Sequence, residues 1–229
     1  MSFCINFRCI LALGLCASVS TAVASDYDLV ILNGRIMDPE TSFDAVANVG
    51  IKGGSIAVIT DEPLEGAETI DATGHVVAPG FIDTHNHWQR TMGYKIALRD
   101  GVTTSFDLEY GTVGTRVAEW YAERDGNTQM NYGTASSHEA ARSSVLDQCP
   151  QAYDAPTALD CRANFTGWSD TIPSLEQGNQ ILEIIDQGLA DGAIGIGATL
   201  GYLRNGASAR EVFEAQKVGA RYGRQYGAH

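Results

Sequence analysis

The chain after Pro79 alternates between two kinds of segment, and this alternation restricts the fold more than any other feature. Short apolar or β-branched runs occupy residues 81–83, 102–106, 130–135, 193–197 and 225–229, and segments with helical spacing occupy residues 89–98, 116–124, 139–146, 175–189 and 209–222. Strands that alternate with helices pair in parallel through right-handed crossovers. We therefore expect an α/β fold, either a barrel or a doubly wound sheet, with about five strands present.

The preceding segment, residues 27–77, has a different pattern of short alternating strands separated by turns. Asn33-Gly34 and Gly53-Gly54 stand between apolar runs, as the central residues of tight hairpin turns commonly do. We predict two hairpins here. They would belong to a small β-sandwich lobe over residues 25–78, followed by an α/β domain over residues 79–229.

The first 24 residues have the composition of a secretory signal peptide. Arg8 precedes an apolar stretch, residues 9–19, and Ala22-Val23-Ala24 matches the small-x-small pattern of a cleavage site. The apolar stretch is shorter than the roughly 20 residues that a membrane-spanning helix needs. We expect cleavage after Ala24 and a mature protein in the periplasm or outside the cell, without membrane association.

The charge balance excludes some classes of partner. The chain has 28 Asp and Glu against 15 Lys and Arg, which gives a net charge of −13. Such a surface repels phosphate backbones and anionic lipid headgroups. We therefore expect a small-molecule partner and no nucleic acid.

Two cysteines remain after the expected cleavage, Cys149 and Cys161, which are 12 positions apart. A cysteine pair in an exported chain favours a disulfide. The proline and aspartate residues between them predict a surface loop that the disulfide would close. The alternative, two free thiols in a reducing compartment, stays open.

A pair of histidines, His85 and His87, follows the apolar run 81–83. Residues i and i+2 of a strand point to the same face, so both imidazoles can bind one metal ion. Enzymes with parallel barrels keep their chemistry at the C-terminal ends of the strands, where this pair stands. The spacing therefore indicates a metal site.

Longer phrases around these histidines carry a family resemblance. Residues 77–87, Val-Ala-Pro-Gly-Phe-Ile-Asp-Thr-His-Asn-His, strongly resemble the signature of the amidohydrolase superfamily, and residues 101–104, Gly-Val-Thr-Thr, resemble its second-strand phrase. Residues 191–197 and 220–223 resemble the N-acyl-D-amino-acid deacylase branch, whose members are D-aminoacylase-like. The resemblance implies that the α/β domain is the N-terminal part of a (β/α)8 barrel of the TIM type.

The resemblance also implies a zinc cofactor, with one or two ions. His85 and His87 after the first barrel strand, and His229 at the end of the fifth, match metal-binding histidines of the family. It further implies a metal-dependent amidohydrolase that acts on carbon–nitrogen bonds other than peptide bonds.

The second barrel strand departs from the family pattern. Family members carry a cysteine a few residues after the second-strand phrase, whereas this chain has Asp107, Glu109 and Tyr110 in that region. A carboxylate can bridge two cations, and tyrosine is a poor bridge at neutral pH. We expect Glu109 to be the ligand, with Asp107 as the alternative.

The substrate implied by the resemblance is an N-acyl-D-amino acid or a related amide with a linear C–N bond. One alternative is a hydrolase of cyclic amides, such as a hydantoinase, dihydropyrimidinase or dihydroorotase. Another is an inactive exported fragment. Family members need a sixth-strand histidine and an eighth-strand aspartate that acts as acid and base, so we expect both beyond residue 229, in a longer protein.

Two further residues are expected at the rim of the barrel as substrate contacts. His138 follows the third strand and Arg204 follows the fourth. A hydrogen-bonded structural histidine is the alternative for His138.

Overall fold

The computed structural model describes residues 25–151, 155–203 and 205–229, and for residues 155–159 it describes the backbone alone. The expected signal peptide, residues 1–24, and Arg204 lie outside the described residues. The chain divides into two compact units between Pro79 and Gly80. None of the helices within the described ranges combines the length and the apolar character that crossing a bilayer requires.

The first unit is a sheet of five strands. They are β1 (Tyr27–Asp38), β2 (Phe43–Lys52), β3 (Ser55–Thr60), β4 (Gly66–Asp71) and β5 (Val76–Val77), in the order β3-β2-β1-β4 with β5 beside β1. Strand β2 is antiparallel to β1, whereas β4 and β5 are parallel to it. Ile36, Ala47 and Val49 form a buried apolar cluster. The lobe predicted as a sandwich is a single layer within the described residues.

One of the two predicted hairpins is present. Gly53 and Gly54, with φ of 58° and 75°, connect β2 to β3 in an antiparallel pair. The prediction for Asn33-Gly34 is wrong, because β1 runs through these residues with only a local shift in its register to β2. A Cβ at Gly34 would lie 2.6 Å from the side chain of Val77, so the glycine serves close packing and not a turn.

The second unit is a parallel sheet of five strands that curls into half a barrel. The strands are β6 (Phe81–Asp83), β7 (Val102–Thr112), β8 (Asn131–Ser137), β9 (Ile196–Ala198) and β10 (Tyr226–Ala228), arranged in sequence order. Every neighbouring pair is parallel. The predicted N-terminal part of a TIM-type barrel is therefore confirmed. All strand C-terminal ends lie at one edge, which we call the barrel mouth.

Helices connect the strands and cover the sheet. They are α1 (Thr91–Arg99), α2 (Val117–Arg124), α3 (His138–Leu146), α4 (Ala155–Asn164), α5 (Gly167–Asp170), α6 (Leu175–Ala190) and α7 (Ala209–Arg221), with 3₁₀ turns at Gly114–Arg116 and Leu200–Tyr202. Ile181, Ile185 and Leu189 recur at helical spacing on α6 and pack against Ile196 of β9 in the main core. Full burial of each such side chain contributes about 1.5–3 kcal/mol.

The segment between the two cysteines is partly helical, which differs from the predicted loop. Cys161 lies in α4 and forms a disulfide with Cys149, with the Cα atoms 6.0 Å apart. Pro156 is the second residue of α4, where the missing N–H of proline has no intrahelical partner to lose. A proline in this segment therefore marks a helix start.

Strand β7 leaves the regular ladder near the barrel mouth. Its pairing with β8 stops after Asp107 and resumes at Thr112, so residues 108–111 stand opposite a single residue of β8. Gly111 has a φ of 78°, and a Cβ there would lie 2.2 Å from a carbonyl oxygen of β8. Only glycine adopts this conformation and this close approach without strain. The resulting bulge contains Glu109.

Two glycines on neighbouring strands make room for this bulge. A Cβ at Gly197 of β9 would lie 2.7 Å from the carbonyl oxygen of Glu109, and one at Gly227 of β10 would lie 2.6 Å from that of Leu108. A glycine next to a bulge commonly marks such an approach of two backbones. The position of Glu109 therefore depends on glycines that lie far along the chain.

Candidate metal centre

The two histidines after β6 hold their imidazoles together. The Nε2 atoms of His85 and His87 are 3.1 Å apart, and the ring centroids are 4.8 Å apart. The segment is fixed to β7 because the N–H of Asn86 donates to the carbonyl oxygen of Phe106 over 2.9 Å. The convergence expected from the i, i+2 spacing is thus present in the geometry.

Glu109 brings a carboxylate to these imidazoles and to a third. Its Oε2 contacts Nε2 of His85 and lies 3.3 Å from Nε2 of His87, while its Oε1 contacts Nδ1 of His229. The side chain is 11% exposed, so most of the solvent is excluded from the carboxylate. The four residues expected as ligands therefore meet at one place, although they come from three separate regions of the chain.

Asp107 and Tyr110, which lie close to Glu109 in β7, make different contacts. Asp107 places Oδ2 3.0 Å from Nδ1 of His87, and its Oδ1 accepts the N–H of Tyr110 over 2.9 Å. The hydrogen bond to Asp107 raises the pKa of His87. Burial raises the pKa of Tyr110, so this phenol keeps its proton. Of the residues weighed for the second strand, Glu109 is the one whose side chain reaches all three imidazoles.

His229 is held from two sides. Its backbone N–H donates to the carbonyl oxygen of Ala198 over 2.8 Å, and this bond extends the pairing of β10 with β9. Its ring stacks on that of Tyr202, with centroids 4.6 Å apart and an interplanar angle of 24°. The backbone hydrogen bond and the ring stacking therefore hold the imidazole in place against Glu109.

These side chains fit a divalent cation. The ligand atoms of His85, His87 and Glu109 all lie within 4.8 Å of one another, and His229 adds a nitrogen at the other carboxylate oxygen. Imidazole nitrogens and carboxylate oxygens are the usual ligands of catalytic zinc. A carboxylate with its two oxygens at different imidazoles can also bridge two ions roughly 3.5–4 Å apart.

His138 does not join this group. Its side chain is fully buried, Nδ1 lies 2.8 Å from the hydroxyl of Tyr226, and Nε2 lies 2.8 Å from Oε1 of Glu211. Both ring nitrogens are engaged, so neither is left for a substrate. These contacts favour the structural alternative for His138, and its partners lie 73 and 88 residues along the chain.

The buried acid beside His138 was not predicted from the sequence. Glu139 accepts a hydrogen bond from the hydroxyl of Thr199, and its Oε1 lies 3.6 Å from Nε of Arg162. Burial raises the pKa of Glu139, and its contacts with Thr199 and Arg162 only partly offset this effect. Its position directly after the third barrel strand was a usable signal, but both partners come from distant segments.

The sequence is similar to one protein family and, over shorter stretches, to several curated proteins. Residues 68–201 match the model of the Amidohydrolase family. A stretch of 62 residues is 53% identical to a dihydroorotase of Streptococcus pneumoniae serotype 4, and covers 27% of this chain and 15% of that protein. A stretch of 91 residues is 33% identical to an allantoinase of Escherichia coli, and covers 36% of this chain and 20% of that protein.

Similarity of fold extends over more of the chain. A D-aminoacylase structure matches with a TM-score of 0.70 at 22% identity. An N-acyl-D-glutamate deacylase from Bordetella bronchiseptica, solved with zinc and a phosphonate inhibitor, matches with a TM-score of 0.67 at 20% identity. Both matches cover 89% of this chain and 45% of the other, so the chain spans less than half the length of these proteins.

The family match and the metal centre concern the same part of the molecule. The matched residues include β6 to β9 and three of the four side chains that meet at the barrel mouth, those of His85, His87 and Glu109. They make up more than half of the chain. This chain therefore belongs to the amidohydrolase family.

Proposed function

We propose that the whole protein containing this chain is a zinc-dependent hydrolase of N-acyl-D-amino acids. The observation that carries the proposal is the meeting of His85, His87 and His229 at the carboxylate of Glu109. These residues would hold a zinc ion, which would supply a bound water with a pKa of roughly 7 and polarisation of the amide carbonyl.

The residues of this chain have distinct tasks in that reaction. His85, His87 and His229 donate ring nitrogens, and Glu109 holds one oxygen at each side of the cluster. Asp107 accepts a hydrogen bond from the Nδ1–H group of His87 and so leaves the lone pair of Nε2 on the side of Glu109, where it could bind the ion. We assign transfer of the proton to the leaving nitrogen to an aspartate outside this chain, as the family resemblance implies.

The choice of a linear amide is supported by the extent of the structural matches. The D-aminoacylase and the N-acyl-D-glutamate deacylase share the fold over 89% of the chain. Both names describe the removal of an acyl group from a D-amino acid. The motifs at residues 191–197 and 220–223 support the same branch.

A second candidate is a hydrolase of cyclic amides. It is favoured by the matched segments of the dihydroorotase and the allantoinase, whose identities of 53% and 33% exceed those of the structural matches. These segments cover only 27% and 36% of the chain. We therefore rank this candidate second.

A substrate panel separates the two candidates. The zinc-loaded whole protein is incubated with N-acetyl-D-methionine, N-acetyl-L-methionine, dihydroorotate and allantoin, and the products are quantified by chromatography. We expect release of D-methionine, and its loss in a His85→Ala variant. Ring opening without deacylation would support the second candidate, and turnover of none of the four would contradict the proposal.

We also propose that the protein acts outside the cytoplasm, on the basis of residues 1–24. Intact-mass analysis of the exported protein is expected to show an N-terminus at Ser25. A retained Met1 would contradict export by signal cleavage.

A further inference from the structure

A guanidinium lies close to the metal centre. Cζ of Arg162 is 4.5 Å from the ring centroid of Tyr202, and that ring stacks on His229 with centroids 4.6 Å apart. Added end to end, these two distances place the guanidinium carbon within about 9 Å of the His229 ring. His229 itself contacts Glu109, so a cation stands beside the cluster that would hold the reacting amide.

Covalent structure and packing both fix the position of this arginine. Arg162 directly follows Cys161, whose disulfide to Cys149 anchors α4. Its guanidinium also lies 4.9 Å from the ring centroid of the buried Trp168. The side chain nevertheless remains 29% exposed, so it is both held and accessible. A guanidinium that lies over aromatic faces gains a cation–π attraction and can still donate hydrogen bonds through its N–H groups.

Glu139 forms an ion pair with this guanidinium, with its Oε1 at 3.6 Å from Nε. Glu139 already accepts a hydrogen bond from Thr199. Burial raises the pKa of this acid, and its contacts with Thr199 and Arg162 oppose that effect.

We propose that Arg162 binds the α-carboxylate of the substrate and selects N-acyl amino acids over neutral amides. This inference rests on the proposed function. In such a substrate the carboxylate carbon lies roughly 3–4 Å from the amide carbonyl carbon. When the amide carbonyl lies at the metal centre, the α-carboxylate of the substrate therefore lies a short distance to one side of it. The guanidinium of an arginine can bind a carboxylate through two parallel hydrogen bonds.

The test compares two substrates that differ in that carboxylate alone. N-acetyl-D-methionine and N-acetyl-D-methionine amide are assayed with the zinc-loaded whole protein and with the Arg162→Gln and Arg162→Lys variants. We expect Arg162→Gln to lower kcat/KM for the acid about 10- to 100-fold, mainly through KM, because charge-assisted hydrogen bonds are lost. Turnover of the amide should change by less than about threefold, and Arg162→Lys should be intermediate.

Arg221→Gln is the matched control. Arg221 is an exposed arginine on α7 that forms an ion pair with Asp186 at 2.8 Å. Like Arg162, it is an arginine paired with one acid. It should leave the ratio of acid to amide turnover unchanged. An equal loss for both substrates in Arg162→Gln, or no loss for the acid, would overturn the proposal. If Arg162→Gln does not fold, an unchanged ratio of acid to amide turnover in Arg162→Lys would also overturn the proposal.

Calorimetric titration separates this inference from the proposed function. If the wild-type protein hydrolyses neither compound, the proposed function is wrong, but binding of the acid and the amide is still measured. Tighter binding of the acid that disappears in Arg162→Gln would support a carboxylate site. Equal binding of the two compounds, or binding of neither, would overturn it.

Discussion

The carboxylate of Asp107 lies 3.0 Å from Nδ1 of His87. The other ring nitrogen, Nε2, faces Glu109 at 3.3 Å. A carboxylate at Nδ1 favours the tautomer that carries its proton there, which leaves a lone pair on Nε2 for a metal ion. Two acids two positions apart in β7 therefore have different tasks, because one orients a ligand and the other is a ligand.

This difference predicts unequal effects of two conservative substitutions. Glu109→Gln removes the charge at the centre of the cluster and should abolish most zinc binding. Asp107→Asn leaves all proposed ligands in place and should weaken zinc affinity about 10- to 100-fold. Elemental analysis and competition with a chelating dye measure both. A greater loss of zinc in Asp107→Asn would mean that the assignment of the two acids is reversed.

His229 provides a test of the second side of the cluster. His229→Ala removes the nitrogen at Oε1 of Glu109 and should lower the zinc content per chain, while His85 and His87 still bind. The unfolding temperature should change little, because this ring is partly exposed at the barrel mouth. The control is His75→Ala, which removes an exposed histidine whose Nδ1 is within hydrogen-bond distance of the carbonyl oxygen of Thr73. This variant should retain all zinc. An unchanged zinc content in His229→Ala would exclude it as a ligand.

Gly197 provides a test of the bulge. Gly197→Ala places a methyl group against the carbonyl oxygen of Glu109, and should lower the free energy of unfolding by about 1–3 kcal/mol and weaken zinc binding. Gly178→Ala on α6 meets no atom within 4 Å and should raise the free energy of unfolding by up to about 1 kcal/mol. Urea unfolding and zinc titration measure both. Equal zinc affinity in the two variants would mean that the bulge does not position Glu109.

The buried group around Glu211 predicts an acid-sensitive stability. Burial alone would raise the pKa of Glu211, but hydrogen bonds and charges from His138 and Arg142 outweigh it and lower the pKa below its ordinary value of 4.5. Because the folded pKa is the lower one, this contribution is complete above about pH 4.5 and is lost as the pH falls through the folded pKa.

Glu211→Gln should remove this pH dependence and lower stability at neutral pH. It leaves the fully buried Arg142 without its charge partner, which costs about 3–5 kcal/mol. The free energy of unfolding is measured between pH 7 and pH 3 for both proteins. The same acid dependence in the variant, or an unchanged stability at pH 7, would show that another group is responsible.

Local patterns predicted most of the second unit. The alternation of strands and helices was correct because each run carries its own periodicity, as for α6, where Ile181, Ile185 and Leu189 share one face. The approach of His85 and His87 followed from strand geometry alone. Both features depend on residues that are neighbours in the sequence.

The features that were not predicted depend on distant residues. The bulge of β7 requires space at Gly197 and Gly227, about 90 to 120 positions later, and the role of His138 is set by Glu211 and Tyr226. The turn expected at Asn33 was overridden by strand pairing on both sides of β1. Sequence patterns do not record such contacts.

The location of zinc in crystals of the zinc-loaded whole protein is the most direct test of the metal centre. An anomalous difference map collected at the zinc edge should show a peak about 2.0–2.2 Å from Nε2 of His85, Nε2 of His87 and a carboxylate oxygen of Glu109. Excess zinc should add a second peak at Nδ1 of His229. A zinc peak that has no oxygen of Glu109 within coordinating distance, or no peak at the barrel mouth, would contradict the proposed centre.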